Sequence, residues 1–138
     1  MENKDLSENK LENVVGGDVL PVPSPSPAPS PSPEAGSIAN RAYTELGKPY
    51  AWGGIGPEAY DASGLVSYCV SGVHARIGTT DTFLGWERVS NPSVGDICVN
   101  SVHCGIYIGG GQMIHAPTFG QAVQIGSVQS GMIFVKKP

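Results

Sequence analysis

Two histidines separated by a glycine turn are the residues of this sequence best placed to do chemistry together. His103 lies in Val102-His103-Cys104-Gly105-Ile106-Tyr107-Ile108, and His115 lies in Gln112-Met113-Ile114-His115-Ala116-Pro117. Gly109-Gly110-Gly111 stands between these apolar-alternating runs and predicts a hairpin. A turn centred near Gly109 or Gly110 sets the two histidines opposite each other or one step diagonal, with Cβ atoms roughly 4.5 to 8 Å apart on one face. The period of two groups His103, Gly105 and Tyr107 on that face, with Val102, Cys104, Ile106 and Ile108 on the other. Either histidine alone reads as an ordinary strand residue. In register, one imidazole can orient the other and fix its tautomer, leaving the first to take a proton from a nucleophile.

The stretch Lys48-Pro49-Tyr50-Ala51-Trp52-Gly53-Gly54, followed by Tyr60-Asp61-Ala62-Ser63-Gly64-Leu65-Val66, reads as an aromatic turn feeding an apolar helix. A thiol in the first turn of such a helix would feel its positive end, about half an elementary charge, and ionise more readily than in free solution. These motifs resemble the NlpC family of cell-wall cysteine peptidases, whose pattern is Pro-Tyr-x-Trp-Gly-Gly and then Asp-Cys-Ser-Gly-Leu-Val. The likeness covers roughly residues 37 to 138, and Ala62 occupies the cysteine slot. It implies an α+β, papain-like fold with helices packed on an antiparallel sheet of about five strands. It further implies position 62 as nucleophile, His103 as base and His115 as its orienter, with Tyr50, Trp52, Asp61 and Ser63 at the substrate. Asp61 and Ser63 also suit helix capping. The substrate class implied is the bacterial peptidoglycan stem peptide, cut between D-glutamate and the diamino acid, with no metal or organic cofactor.

A methyl group cannot attack a carbonyl, so the chain as written is expected to be inactive. Either a nucleophilic cysteine has been replaced, or the protein is a natural pseudoenzyme acting as a wall-binding or antimicrobial module. The surrounding motif, complete with both histidines, favours the first. An amidase or acyltransferase on the same scaffold is a further alternative, because a Cys/His arrangement fixes acyl chemistry and not the acceptor.

Several elements must position these groups. Ser37 can cap a helix running through Ile38, Ala39, Ala42, Tyr43 and Leu46, which Gly47-Lys48-Pro49 ends. A second helix is expected from near Ala62 to Gly72. Residues 73–93 have weak periodicity and read as an excursion along the cleft, with Phe83 and Trp86 as candidate lining and His74 and Arg76 as solvated rather than catalytic. Strands are expected over 96–99, 102–108, 111–116, 122–125 and 132–136. Cys69, Cys98 and Cys104 are too few and too unevenly spaced for a disulfide framework or a zinc site. A Cys98–Cys104 bridge is conceivable, but two reduced, packed thiols fit better.

Composition narrows the partners. A net charge of −4, with only 8 lysines and arginines spread thinly, gives no basic stripe for nucleic acid or an anionic membrane surface. No apolar run approaches the roughly 20 residues needed to span a bilayer, so no membrane insertion is expected. Residues 1–17 lack the apolar core of a general secretory signal. They resemble instead a double-glycine leader of the bacteriocin-precursor type: Leu6-Ser7, Leu11 and Val14 match its spaced apolar residues, and Gly16-Gly17 its cleavage site. The resemblance implies docking on a peptidase-containing ABC transporter, a cytoplasmic precursor, and a product secreted or associated with the wall. Residues 18–36 form a Pro/Ser-rich linker whose prolines alternate from Pro21 to Pro33 and hold the chain in extended polyproline II. Residues 37–138 remain as the peptidase-like domain.

Overall fold

A computed structural model describes residues 33–138, so the leader, with Leu6, Leu11, Val14, Gly16 and Gly17, and nearly all of the linker lie outside the described residues. The elements in order are α1 (Pro33–Thr44), α2 (Ala62–Ser71), α3 (Thr80–Leu84), β1 (Glu87–Val89), β2 (Ile97–Val99), β3 (Cys104–Gly109), β4 (Gln112–His115), β5 (Gln124–Ser127) and β6 (Ile133–Lys136). The strands form one antiparallel sheet in the order β1-β6-β2-β3-β4-β5. This is the expected α+β architecture with one strand more than anticipated. The extra strand is β1, which lies in the excursion and pairs Glu87, Arg88 and Val89 with Lys136, Val135 and Phe134 of β6.

The first helix begins at Pro33, four residues before the expected cap, and Ser37 lies inside it. Pro33 suits the start of a helix, where a backbone donor would have no intrahelical partner. Helix α1 packs on α2, and both pack on β3. Ile38 and Ala42 from α1, Leu65, Val66, Cys69 and Val70 from α2, and Ile97, Val99, Cys104, Ile106, Ile114 and Val135 from the sheet form one buried cluster. Each large side chain buried there is worth about 1.5 to 3 kcal/mol relative to exposure. Phe83, expected at the cleft, is fully buried in this core and meets Trp86 edge-on at 4.9 Å. Trp86 is packed against the same cluster, so neither ring lines the cleft. Helix α3 packs on β2 and β6, which carries Phe83 into the core, and Trp86 packs beside it on the same cluster.

Cys69, Cys98 and Cys104 are free, buried thiols, as packing favoured. Burial pushes the pKa of all three upward, that of Cys98 to about 12, which leaves them poor nucleophiles. No helix among the described residues is long and apolar enough to cross a membrane.

Candidate active site

The expected site residues fall into two groups, a helix start whose residues line one cleft and a strand pair whose histidines touch each other, with Val102, next to His103, in the lining of that cleft. At the helix start, Asp61 is extended at φ −95° and ψ 179°, and its Oδ1 accepts from the Gly64 amide at 2.6 Å. Leu65 N donates to Asp61 O at 3.0 Å, which opens the intrahelical ladder. The amides of residues 62 and 63 therefore precede the first helical bond, in the positive end of α2. The second carboxylate oxygen of Asp61 accepts from Gly53 N at 3.1 Å and from Arg76 Nη2 at 2.9 Å. Arg76 Nη1 also donates to Ser63 Oγ at 2.5 Å. One carboxylate thus joins the glycine turn, the first turn of α2 and the excursion around residue 62.

The aromatic turn is held on both sides. Tyr50 N donates to Gln121 O at 3.0 Å, and Ala51 N donates to Tyr60 O at 3.0 Å. Gly54 N donates to Ala51 O at 2.9 Å, and Gly54 O accepts from Asp61 N at 2.9 Å. A Cβ at Gly64 would run into that same Gly54 carbonyl, so only glycine lets the helix start approach the turn this closely. Beneath the turn, the fully buried Tyr60 donates to Glu45 Oε1 at 2.6 Å. Burial alone would raise the Glu45 carboxyl, but hydrogen bonds from Lys48, Tyr60 and Thr44 outweigh it and hold the group below the usual carboxylate range.

Tyr50, Trp52, Asp61, Ala62 and Ser63 line a cleft of about 400 Å³ together with Gly53, Arg76, Thr79, Thr80 and Val102. Tyr50 is half-buried and leans on the core, whereas Trp52 is 90 % exposed at the rim. A larger groove of about 650 Å³, beside Glu34, Glu87 and Lys136, contains none of the expected site residues.

The strand half holds the imidazoles. His103 Nε2 and His115 Nδ1 are 2.7 Å apart, with ring centroids at 5.0 Å and planes 74° apart. The pairing of Ile106 with Ile114 and Tyr107 with Met113 makes the two histidines diagonal, one of the two hairpin registers expected. His103 precedes β3 in a tight loop in which Asn100 Oδ1 accepts from the amides of Val102, at 2.9 Å, and His103, at 2.7 Å. Both histidines are only 8 % exposed. Burial, and then the neighbouring His115, push His103 down to about 4, and burial also lowers His115. Both rings are therefore neutral at pH 7, and a neutral imidazole can accept a proton.

Arg76 is the cleft residue that sequence reasoning set aside, and Asn100 is the loop residue it did not single out. Arg76 sits in a segment without periodicity, and only the fold brings it back beside Asp61, 15 positions earlier. Asn100-Ser101 carried a turn signal, which accounts for Asn100 in retrospect.

A model of the NlpC/P60 family matches residues 47–136. The chain is 37% identical over 109 residues to "Protein P54" of Enterococcus faecium, covering 67% of this chain and 20% of that protein. It is 34% identical over 102 residues to "Probable peptidoglycan endopeptidase LytE" of Bacillus subtilis, covering 67% of this chain and 30% of that protein. The match therefore spans under a third of either relative. Among solved structures, the NlpC/p60 domain of the peptidoglycan hydrolase SagA superposes with a TM-score of 0.60 at 34% identity, over 72% of this chain and 97% of that one. The peptidoglycan hydrolase RipB of Mycobacterium tuberculosis gives 0.62 at 25% identity, over 75% and 64%.

Proposed function

The chain belongs to the NlpC/P60 family, and from that premise we propose that it is the inert form of a peptidoglycan endopeptidase acting by a Cys/His/His mechanism. The observation that supports this most is the buried imidazole pair, 2.7 Å apart, in a domain whose α2 begins at residue 62. With cysteine at 62, the thiol proton passes to His103 Nδ1, giving a thiolate and an imidazolium. The thiolate attacks the amide carbon of a stem peptide, in our reading the bond between D-glutamate and the diamino acid. The C–N bond breaks, the leaving amine takes the proton from His103, and water then releases the acyl group from sulfur. The amides of residues 62 and 63 hold the oxyanion, and His115 orients His103. Tyr50, Trp52, Asp61 and Ser63 contact the stem peptide, and the Arg76 guanidinium offers its carboxylates a charge partner in a cleft of an otherwise acidic protein.

Ala62 leaves no sulfur to attack, so this chain binds without cutting. A natural wall-binding or antimicrobial module is the second reading, and Ala62 itself is what favours it. The Ala62→Cys protein, incubated with purified peptidoglycan, should release new amino termini at the D-glutamyl bond. Release no greater than that of the Ala62 protein would overturn the endopeptidase reading. Export follows from the N-terminal resemblance: Leu6, Leu11 and Val14 dock on a peptidase-containing ABC transporter, cleavage follows Gly17, and the product acts at the wall.

A further inference from the structure

Gly105 and Gly126 both stand beside His115, and neither has a positive φ, so backbone conformation does not require glycine at either place. Glycine within a strand lowers strand stability and commonly marks a close approach. By the register of β3 and β4, Gly105 falls opposite His115, and a Cβ there would lie 2.9 Å from Met113 Sδ and 3.1 Å from His115 Cβ. On the other flank Gly126 of β5 pairs with Met113, one step diagonal to His115. A Cβ at Gly126 would lie 2.6 Å from His115 Nε2, against 3.4 Å and 3.5 Å from the adjoining ring carbons. The ring therefore points its Nε2 at the place where a side chain is missing.

Tautomer logic gives that gap a purpose. The 2.7 Å contact joins His103 Nε2 to His115 Nδ1, and in the neutral pair one nitrogen donates while the other accepts. If His103 is to present a free lone pair at Nδ1, its proton sits on Nε2 and is donated to His115 Nδ1. His115 then carries its own proton on Nε2, directed at Gly126. We propose that Gly126 is a positioning residue, whose missing side chain leaves the room the His115 ring needs to keep Nδ1 on His103 and Nε2 toward β5, the orientation in which the pair adopts this tautomer. The proposal gains its catalytic meaning from the endopeptidase reading, but the tautomer exists or fails without any activity.

The test uses the chain as it stands, with Ala62. Long-range ¹H–¹⁵N correlation spectra at pH 7 should show both rings protonated at Nε2, with His115 Nδ1 a hydrogen-bonded acceptor. Gly126→Ala should abolish this pattern and raise the pH midpoint of His103 by at least one unit, while amide signals outside β4 and β5 stay in place. Because Gly126→Ala could unfold the chain, the His115→Ala and His115→Ala/Gly126→Ala proteins are compared as well. With the ring gone, the alanine at 126 should be tolerated, its effect on the thermal midpoint falling to less than half of that in the His115 background. An Nδ1-protonated His115, spectra unchanged by Gly126→Ala, or equal destabilisation with and without the ring would each overturn the proposal. Failure of the double variant to fold would do the same. None of these outcomes depends on whether the Ala62→Cys protein cuts peptidoglycan.

Discussion

Charging the imidazole pair should weaken the fold over a defined pH window. His103 has an ordinary value of 6.5 and is held at about 4 in the folded protein. Between these values the unfolded chain binds a proton that the folded chain refuses, so stability is complete at neutral pH and is lost as the pH falls. Integrating that difference gives a loss of about 2 kcal/mol by pH 5 and about 3 kcal/mol by pH 4. His115 is shifted in the same direction and adds to the loss, whereas Asp96, whose carboxyl is raised by burial, gains stability as the pH falls and works against it. The useful quantity is therefore a difference between proteins. Urea unfolding followed by tryptophan fluorescence should show the midpoint dropping by about 1 to 2 M from pH 7 to pH 5, at a slope of about 1 to 2 kcal/mol per molar. His103→Gln should be much flatter over the same range. A parent midpoint that does not move, or a His103→Gln protein that falls equally steeply, would refute the assignment of a buried neutral pair.

Two further outcomes follow from the helix start and the leader. Arg76→Gln in the Ala62→Cys protein removes the cation that joins Asp61 and Ser63. The pair is partly exposed, so stability should change by less than about 1 kcal/mol, while kcat/KM on muropeptides falls by about tenfold or more; an unchanged kcat/KM would remove Arg76 from the cleft chemistry. Incubating the full chain with a leader-cleaving transporter peptidase should yield a new amino terminus at Asp18, and recovery of the intact 138-residue chain would discredit the leader assignment.

The parts of this fold that were legible in sequence are those set by short-range periodicity and punctuation. The glycine turn after Ile108 and the alternation on either side gave the hairpin and limited the histidines to an opposite or a diagonal pairing, because register in a hairpin follows the apolar pattern and the turn; the pairing observed settles it as diagonal. The start of α2 was legible for the same reason: Asp61 is a strong capping residue before an apolar run, and Gly72 closes the helix at φ +79°. What was not legible depends on contacts distant in sequence. Nothing local to Phe83 or Trp86 says that they turn inward, nor that Trp52 faces solvent while Tyr50 leans on the core. Strand β1 exists only because β6, more than 40 positions later, offers it an edge. Helix α1 begins earlier than expected because Pro33, the last of the linker's alternating prolines, is also compatible with a helix's first turn.

Alanine at position 62 changes less of this architecture than its chemistry suggests, and the reason lies in what holds each half. The helix start is fixed by the Asp61 carboxylate, through Gly53, Gly64 and Arg76, and by the close passage of Gly64 over the Gly54 carbonyl. The imidazoles are fixed by the Asn100 turn, by each other and by the space at Gly105 and Gly126. None of these supports passes through the side chain at 62. The half-buried methyl at 62 packs against the core on one side and lines the cleft on the other, so a sulfur added there has the cleft to extend into. On the proposed endopeptidase reading, the site is therefore built before its nucleophile is supplied, and that preorganisation would let the Ala62 chain keep the shape that holds substrate.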